Sequence, residues 1–413
     1  MKVLIINQSI YDGGAARAAH RLFTGLVNRN VDVTFLSLDR KVNQDKELTF
    51  FSSFKRDLRK VGPKIESVFI NRYRNKFKSS FSISRFNILN TAKVINEMNP
   101  DIVHLHWINS GTLTIKEISQ IKAPIVWSLH DMWPFTGGCH YDLDCGLYKK
   151  ECGTCKVLNS NKLNDLSKKL LSNKQKWFSQ IDNLTIVALS SWLEGCAKSS
   201  SLFRNKRIVR LPNPIDVSVF DKVDKYVARE ILTLPRDKKL LLFGAMYATS
   251  DPRKGFNELI NALSYLDKNK YEVVIFGASH YSNKTDIPLN LHLVGQLNDD
   301  ISLKLIYSAV DLTIVPSLQE NLSNVIMESL SCATPVVAFN IGGNSDLIEH
   351  KVNGFLAKPY KSNELAKGVD WIIEGNNNEE IKKNSRMKVL ENFSEDVLIP
   401  QYIELYRSIL NHS

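Results

Sequence analysis

Short, nearly continuous apolar runs recur along the whole chain, each followed by a glycine or polar turn and then by residues with helical spacing. In the first half these runs are Lys2–Asn7 (KVLIIN), Val31–Leu38, Ile102–Trp107, Ile125–Leu129, Leu184–Leu189 and Ile208–Leu211. Between them the spacing predicts an alanine-rich amphipathic helix ending near Asn28, a helix over Asn87–Met98, a lysine-rich helix over Asn164–Gln180 and another over Ser190–Lys198. Pro212-Asn213-Pro214 then interrupts regular structure. The alternation resumes with strands expected at Lys239–Phe243, Glu272–Phe276, Leu291–Val294, Leu312–Val315 and Pro335–Phe339, and helices over Asn378–Glu391 and Glu395–Asn411 close the chain. Strands alternating with helices predict parallel sheets with right-handed crossovers. The fold class read from this pattern is α/β, with a break at Pro212.

Length supports the break, because 413 residues exceed what one hydrophobic core usually fills. No apolar run approaches the ~20 residues of a membrane-spanning helix. Met1-Lys2 leads directly into a strand, so a cytoplasmic protein is expected. The net charge of +11 favours an anionic partner. The excess concentrates in residues 55–85, where Lys55, Arg56, Arg59, Lys60, Lys64, Arg72, Arg74, Lys76, Lys78 and Arg85 face only Asp57 and Glu66. Val68, Phe69, Ile70, Tyr73, Phe77 and Phe81 are interleaved with them. A basic helix with an apolar aromatic side fits an anionic membrane surface; a solvated helix packed on its domain is the alternative.

Candidate chemistry gathers in Pro316–Gly343 (PSLQENLSNVIMESLSCATPVVAFNIGG), read as loop, helix, turn and buried strand. Glu320 and Glu328 stand roughly 10 Å apart along the axis at about 1.5 Å of rise per residue. That spacing is too wide to share a proton and suits gripping two ends of one elongated ligand. The amides of Leu322, Ser323 and Asn324 open the helix, where a phosphate can dock. A surface helix start with two solvated acids is the bland alternative. Arg253 and Lys254, between the first strand of the second half and its helix, are candidates to meet a diphosphate, with Lys254 as the point charge. Gly13-Gly14 after the first strand allows close approach of a ligand to the backbone.

His130 follows the strand Ile125–Leu129, at the carboxyl end where ligands bind in such sheets. His104 and His106 share one strand face, but without a clear third ligand they are expected in the core or in support of other residues. Cys139, Cys145, Cys152 and Cys155, four of the six cysteines, include a Cys-x-x-Cys and make a structural zinc site one expectation. Reduced thiols without metal are the other, with disulfides ranking lower.

Taken together, these pieces resemble a retaining glycosyltransferase of the GT-B fold, from family 4. The resemblance rests on the E-x7-E element Glu320 to Glu328 followed by SCATPVVAFNIGG and Asn353-Gly-Phe-Leu356. It is supported by Gly13-Gly14, DIVHLHW, His130, Leu211-Pro-Asn-Pro-Ile-Asp216 and Arg253-Lys254-Gly255. HDMWPFTGGCHYDLDC with its trailing Cys-x-x-Cys is similar to a bacterial subgroup making exopolysaccharide, capsule or O-antigen. The resemblance implies two Rossmann-like domains facing across a cleft. Residues 1–212 would bind the acceptor, with 395–413 crossing back onto them, and 213–394 the nucleotide-sugar. It implies that Glu328 holds the ribose, Glu320 the donor sugar's hydroxyls, and Lys254, with Arg253, the departing diphosphate. Gly13-Gly14 would approach the same phosphates, and His130 would lie beside the sugar. Two positions depart from the family pattern. Gly244 is followed by Ala245 and Met246 rather than arginine, and Ala333 replaces a common glycine.

The implied activity is hexosyl transfer with retention, from a UDP- or GDP-linked sugar to a saccharide or lipid-linked acceptor, in cell-surface polysaccharide biosynthesis at the inner membrane face. No cofactor is required for such chemistry, and no nucleic acid is expected as partner. The competing readings are another enzyme of the same fold, such as a nucleotide-sugar epimerase or a glucan synthase, and a non-catalytic anion-binding protein.

Overall fold

The computed structural model describes residues 1–38, 46–49, 61–77, 80–87, 90–244, 251–277, 287–297 and 299–411. Lys55, Arg56, Arg59, Lys60, Lys78, Ala245 and Met246 lie outside them. The chain divides into two compact units, Met1–Asn213 with Ile399–Ser413, and Pro214–Leu398. Relative to the boundaries read from the sequence, the first turn of the closing helix stays with the second unit.

The first unit is built on a parallel sheet of β1 (Lys2–Ile6), β2 (Asp32–Ser37), β3 (Glu47–Thr49), β4 (Ile102–Leu105), β5 (Ile125–Leu129), β6 (Leu184–Ala188) and β7 (Arg207–Arg210), in the order β3-β2-β1-β4-β5-β6-β7. Val3 to Ile6 and Ile102, Val103 and Leu105 are at most 1% exposed, which is why these strands read as unbroken apolar runs. The helix Gly14–Val27 buries Ala16, Ala19, Leu22, Phe23 and Leu26 along one stripe. The chain leaves β1 in one direction and returns at β4 in the other, so the topological switch point lies between these two strands, the usual place for a ligand crevice. The closing helix, Glu395–Leu410, brings Tyr402 and Tyr406 into this unit. Tyr402 Oη donates to the carbonyls of Leu211 and Pro212 at 3.2 and 3.1 Å.

The expected basic helix over residues 55–85 is described only as Val61–Asn71. It docks through the buried Glu66, which accepts from the amides of Ser84, Arg85 and Phe86. A side chain at Gly62 would meet the carbonyl oxygen of Phe86 at 2.2 Å. The opposite side leaves Val61, Ile65 and Val68 37%, 41% and 58% exposed.

The second unit repeats the arrangement with β8 (Lys239–Gly244), β9 (Tyr271–Phe276), β10 (Asn290–Gly295), β11 (Leu312–Val315), β12 (Val336–Phe339) and β13 (Gly354–Ala357), ordered β10-β9-β8-β11-β12-β13. Its switch point lies between β8 and β11. β13 and the helix Ser362–Glu374 were not expected as elements. This helix lies so close on the sheet that a side chain at Gly368 would meet the Phe355 ring at 2.6 Å. The buried guanidinium of Arg229 donates to Asp311 Oδ2 at 2.8 Å, to the Ala309 carbonyl at 2.8 Å and to the Arg236 carbonyl at 2.7 Å. It thereby ties the short helix Lys225–Ile231 to the start of β11.

Candidate functional site

At the switch point of the second unit, two loops leave the carboxyl ends of β8 and β11. The first ends in a tight turn, Pro252–Lys254, capped by the Asp251 side chain. The second runs from Pro316 to Ser323, ahead of the helix Asn324–Ser331. Leu318 N donates to the Arg253 carbonyl at 2.7 Å, so the loops are sewn together. Gly255 follows with φ +72°, and a Cβ there would stand 1.8 Å from the Pro316 carbonyl oxygen. Only glycine satisfies both the backbone angle and the contact.

The seam presents Lys254 to Glu320, with Nζ 2.9 Å from Oε2 and the two side chains 27% and 12% exposed. Ser317 Oγ reaches the same oxygen at 3.4 Å. Behind Glu320 the turn at Gly342 (φ +51°) approaches so closely that a Cβ would be 1.8 Å from the Glu320 carbonyl oxygen. Arg253 turns back onto Asp251, its Nε and Nη2 donating to the two carboxylate oxygens at 3.1 and 2.6 Å. Burial pushes the Asp251 carboxyl up, but Arg253 and Lys254 outweigh it and hold it below the usual value. Lys254, not Arg253, is therefore the cation presented beside Glu320.

Glu328, on the helix, is 2% exposed and accepts from the Tyr307 hydroxyl at 2.9 Å. Ser323 caps the helix, accepting from Ile326 N at 3.4 Å, and its carbonyl takes Met327 N. Leu322, Ser323 and Asn324 stand at the opening of this helix, as the sequence placed them, and Asn324 has a further interaction within the protein.

The first unit assembles a second set of groups. His104 and His106 point from β4 and its carboxyl end, and His130 follows β5. His104 is buried between Tyr406 Oη (2.7 Å from Nδ1) and Ser128 Oγ (2.8 Å from Nε2). Its ring lies 4.5 Å from that of His106, and His106 Nδ1 meets His130 Nε2 at 2.9 Å. Burial lowers all three, His104 to about 3 and His130 to about 4, so they are neutral at neutral pH. Gly13 has φ +98° at the start of the helix Gly14–Val27, and a Cβ there would meet no atom within 4 Å. Its requirement for glycine comes from the backbone angle and not from crowding.

Beside His130, Asp131 accepts from Trp133 N at 2.8 Å and His140 Nδ1 at 2.6 Å, and Ser82 Oγ lies 2.8 Å from His140 Nε2. Serine, histidine and aspartate fall in the order of a hydrolase triad. The Ser82 amide, however, is spent on the Gly138 carbonyl, and the Ser82 carbonyl takes the Trp133 indole N–H. The array thus braces the segment 131–140.

The zinc site expected from the cysteine spacing is not assembled. Among the described residues no three histidine, cysteine, aspartate or glutamate side chains are gathered to hold a metal ion. Cys139 and Cys155 pack with Val157 and Leu158, and burial raises all four thiols in the metal-free protein. Nor is any described helix long and apolar enough to cross a membrane.

Asp251, Ser317 and Tyr307, and Asp131, His140 and Tyr406, escaped the reading of site residues from the sequence. Only Asp251 carried a local signal, an aspartate just ahead of a proline-led turn.

Comparison with known proteins places this geometry. The sequence model described as Glycosyltransferase Family 4 matches residues 12–219, half of the chain, and that described as Glycosyl transferases group 1 matches residues 224–388. An uncharacterized glycosyltransferase of Methanocaldococcus jannaschii is 26% identical over 193 residues, 45% of this chain and 48% of the relative. D-inositol 3-phosphate glycosyltransferase 2 of Catenulispora acidiphila is 24% identical over 292 residues, 66% of this chain and 62% of the relative. The chain thus spans about half to three fifths of the length of these relatives. Among solved structures, sucrose-phosphate synthase from Thermosynechococcus elongatus superposes with a TM-score of 0.69 at 18% identity, covering 100% of both chains. HepE of Anabaena, in complex with UDP and glucose, superposes with 0.64 at 18% identity, covering 99% of this chain and 100% of its own. These likenesses show the fold, GT-B, with its two parallel-sheet α/β domains. With one family matched across the first unit and its companion across the Lys254–Glu320 site, the chain belongs to glycosyltransferase family 4.

Proposed function

We propose that this protein transfers a hexosyl group, with retention of configuration, from a UDP- or GDP-linked sugar to a saccharide acceptor, lipid-linked and destined for cell-surface polysaccharide. The observation that carries the reading is the Lys254–Glu320 pair at the switch point of the second unit. A diphosphate arriving there offers Lys254 a stronger anion than a lone carboxylate. Lys254 then shifts to the phosphates, and Glu320 is released towards the hydroxyls of the donor sugar. The HepE complexes hold UDP and UDP-glucose, which supports a nucleotide-sugar donor here.

In such a transfer the sugar–phosphate bond breaks as the acceptor oxygen approaches the same face. The difficulty is charge separation, so a placed cation and fixed orientation supply most of the acceleration. The departing phosphate takes the acceptor's proton, and no enzyme nucleophile or metal is required. His130, neutral and partly buried beside its strand end, contributes a hydrogen bond to the sugar. The exposed face of the helix Val61–Asn71, with Lys64, Arg72 and Arg74 also exposed, supports peripheral contact with an anionic membrane where a lipid-linked acceptor would reside.

The test is product analysis with one donor and a panel of acceptors, reading the anomeric configuration of the new bond by NMR. A retained α-linkage is expected. A sugar altered without any acceptor would indicate an epimerase, and a ladder of products a glucan synthase.

A further inference from the structure

His106 is a buried residue with one committed ring nitrogen and one that has no partner among the described residues. Its Nδ1 meets His130 Nε2 at 2.9 Å, while its Nε2 is buried without any hydrogen-bond partner among the described residues. The ring is held in this orientation from behind. His104 lies against it with centroids 4.5 Å apart and the rings tilted by 32°, itself fixed by Tyr406 and Ser128. All these residues belong to the first unit, the tyrosine arriving on the closing helix.

Two neutral imidazoles share one proton across the 2.9 Å contact, and the orphaned nitrogen decides where it lies. If His130 donated, His106 would carry its own proton on Nε2, a buried N–H with no acceptor. Orphaned buried N–H groups are rare, and leaving one unpaired costs about 1–3 kcal/mol. If His106 donates from Nδ1, its Nε2 is a bare lone pair and no donor is stranded. His130 must then accept at Nε2 and carry its own proton on Nδ1.

We infer that His106 is a positioning residue that locks His130 in the Nδ1–H tautomer, making it a fixed hydrogen-bond donor to an oxygen of the bound sugar and not a base. Burial acts in the same direction, since it keeps both rings uncharged across the neutral range. The role in catalysis rests on the proposed glycosyl transfer, but the tautomer does not, because it is a property of the resting protein.

The decisive experiment is a long-range proton–nitrogen correlation spectrum of the 15N-labelled full chain, with His130 assigned from the peaks missing in His130→Gln. We expect Nδ1 of His130 to be protonated and Nε2 bare. The reverse pattern in the wild-type protein would overturn the inference without touching the proposed function. Two variants give the functional readout. His106→Leu removes the donor and should let His130 move to the Nε2–H form, with kcat about tenfold or more lower and KM for the donor little changed. His106→Asn places an amide N–H near the former Nδ1 and should restore both the tautomer and most of kcat. An asparagine variant as impaired as the leucine one would count against the inference. A protein with the expected tautomer but no transferase activity would sink the proposed function alone.

Discussion

Lys254 Nζ lies 2.9 Å from Glu320 Oε2, although 66 residues of chain separate them. Both side chains keep some exposure to water, so the pair is worth only about 0–1 kcal/mol to folding. Its weight falls on binding. Replacing Lys254 by Ala should weaken nucleoside diphosphate binding about 10- to 100-fold, from the loss of a charge-assisted contact of about 1.5–3 kcal/mol, with little change in Tm. Arg253→Ala should cost less, because that guanidinium is already spent on Asp251. Titration calorimetry with UDP and GDP on both variants checks the order, and an equal or larger loss for Arg253→Ala would contradict it.

Gly255 joins the two loops of the site under a double constraint, a φ of +72° and the Pro316 carbonyl oxygen 1.8 Å from any added Cβ. Gly255→Ala should therefore destabilise the second unit by about 1–3 kcal/mol and pull Lys254 away from Glu320. Urea unfolding measures the first effect and donor KM the second. A variant as stable and active as the wild type would remove the seam from the account.

His104 and His106, both buried, and the partly buried His130 predict how the first unit responds to acid. Their folded values lie below the ordinary 6.5, to about 3 for His104 and about 4 for His130, because burial penalises the charged ring. Between 6.5 and those values the unfolded chain binds more protons than the folded one. Their contribution to stability is thus fully present above pH 6.5 and is lost as pH falls towards 4, at up to about 1.4 kcal/mol per pH unit for each histidine. Urea midpoints for the first unit should be flat above neutrality and fall steadily below it. A midpoint unchanged between about pH 7.5 and 5 would contradict this.

Much of the fold was legible because strands buried on both faces leave a compositional trace. Val3 to Ile6 and Leu240 to Phe243 are apolar at every position and at most 2% exposed. β3 has three residues at a sheet edge, too short to stand out. The helix Ser362–Glu374 did carry a signal, with Leu365, Ala366, Val369 and Ile372 all buried at helical spacing. Of the site, Glu320, Lys254 and His130 could be named from local pattern and position after a strand. Their partners could not. The pairings Glu320–Lys254, Glu328–Tyr307 and His104–Tyr406 join residues far apart in sequence, and only the folded sheet order brings them together. The Cys-x-x-Cys reports a turn but not where the remaining thiols point, so its spacing left zinc and metal-free thiols both open.

The exposed stripe Val61, Ile65 and Val68 repeats at helical spacing on the face away from Glu66. If it meets a membrane, Val68→Glu should reduce binding to vesicles containing anionic lipid by about tenfold and leave transfer to a soluble acceptor unchanged. Vesicle sedimentation reads the first quantity, and undiminished binding would assign the stripe elsewhere.

The central claim is that the Lys254–Glu320 pair is the donor-sugar end of a nucleotide-sugar site. It is tested most directly by incubating the full chain with a panel of UDP- and GDP-linked sugars, without acceptor, and following nucleoside diphosphate release by mass spectrometry. The account predicts slow release from one donor by the wild type, and at least about tenfold less from Lys254→Ala and Glu320→Ala. Equal release by all three proteins, or no release and no binding of any donor, would contradict it.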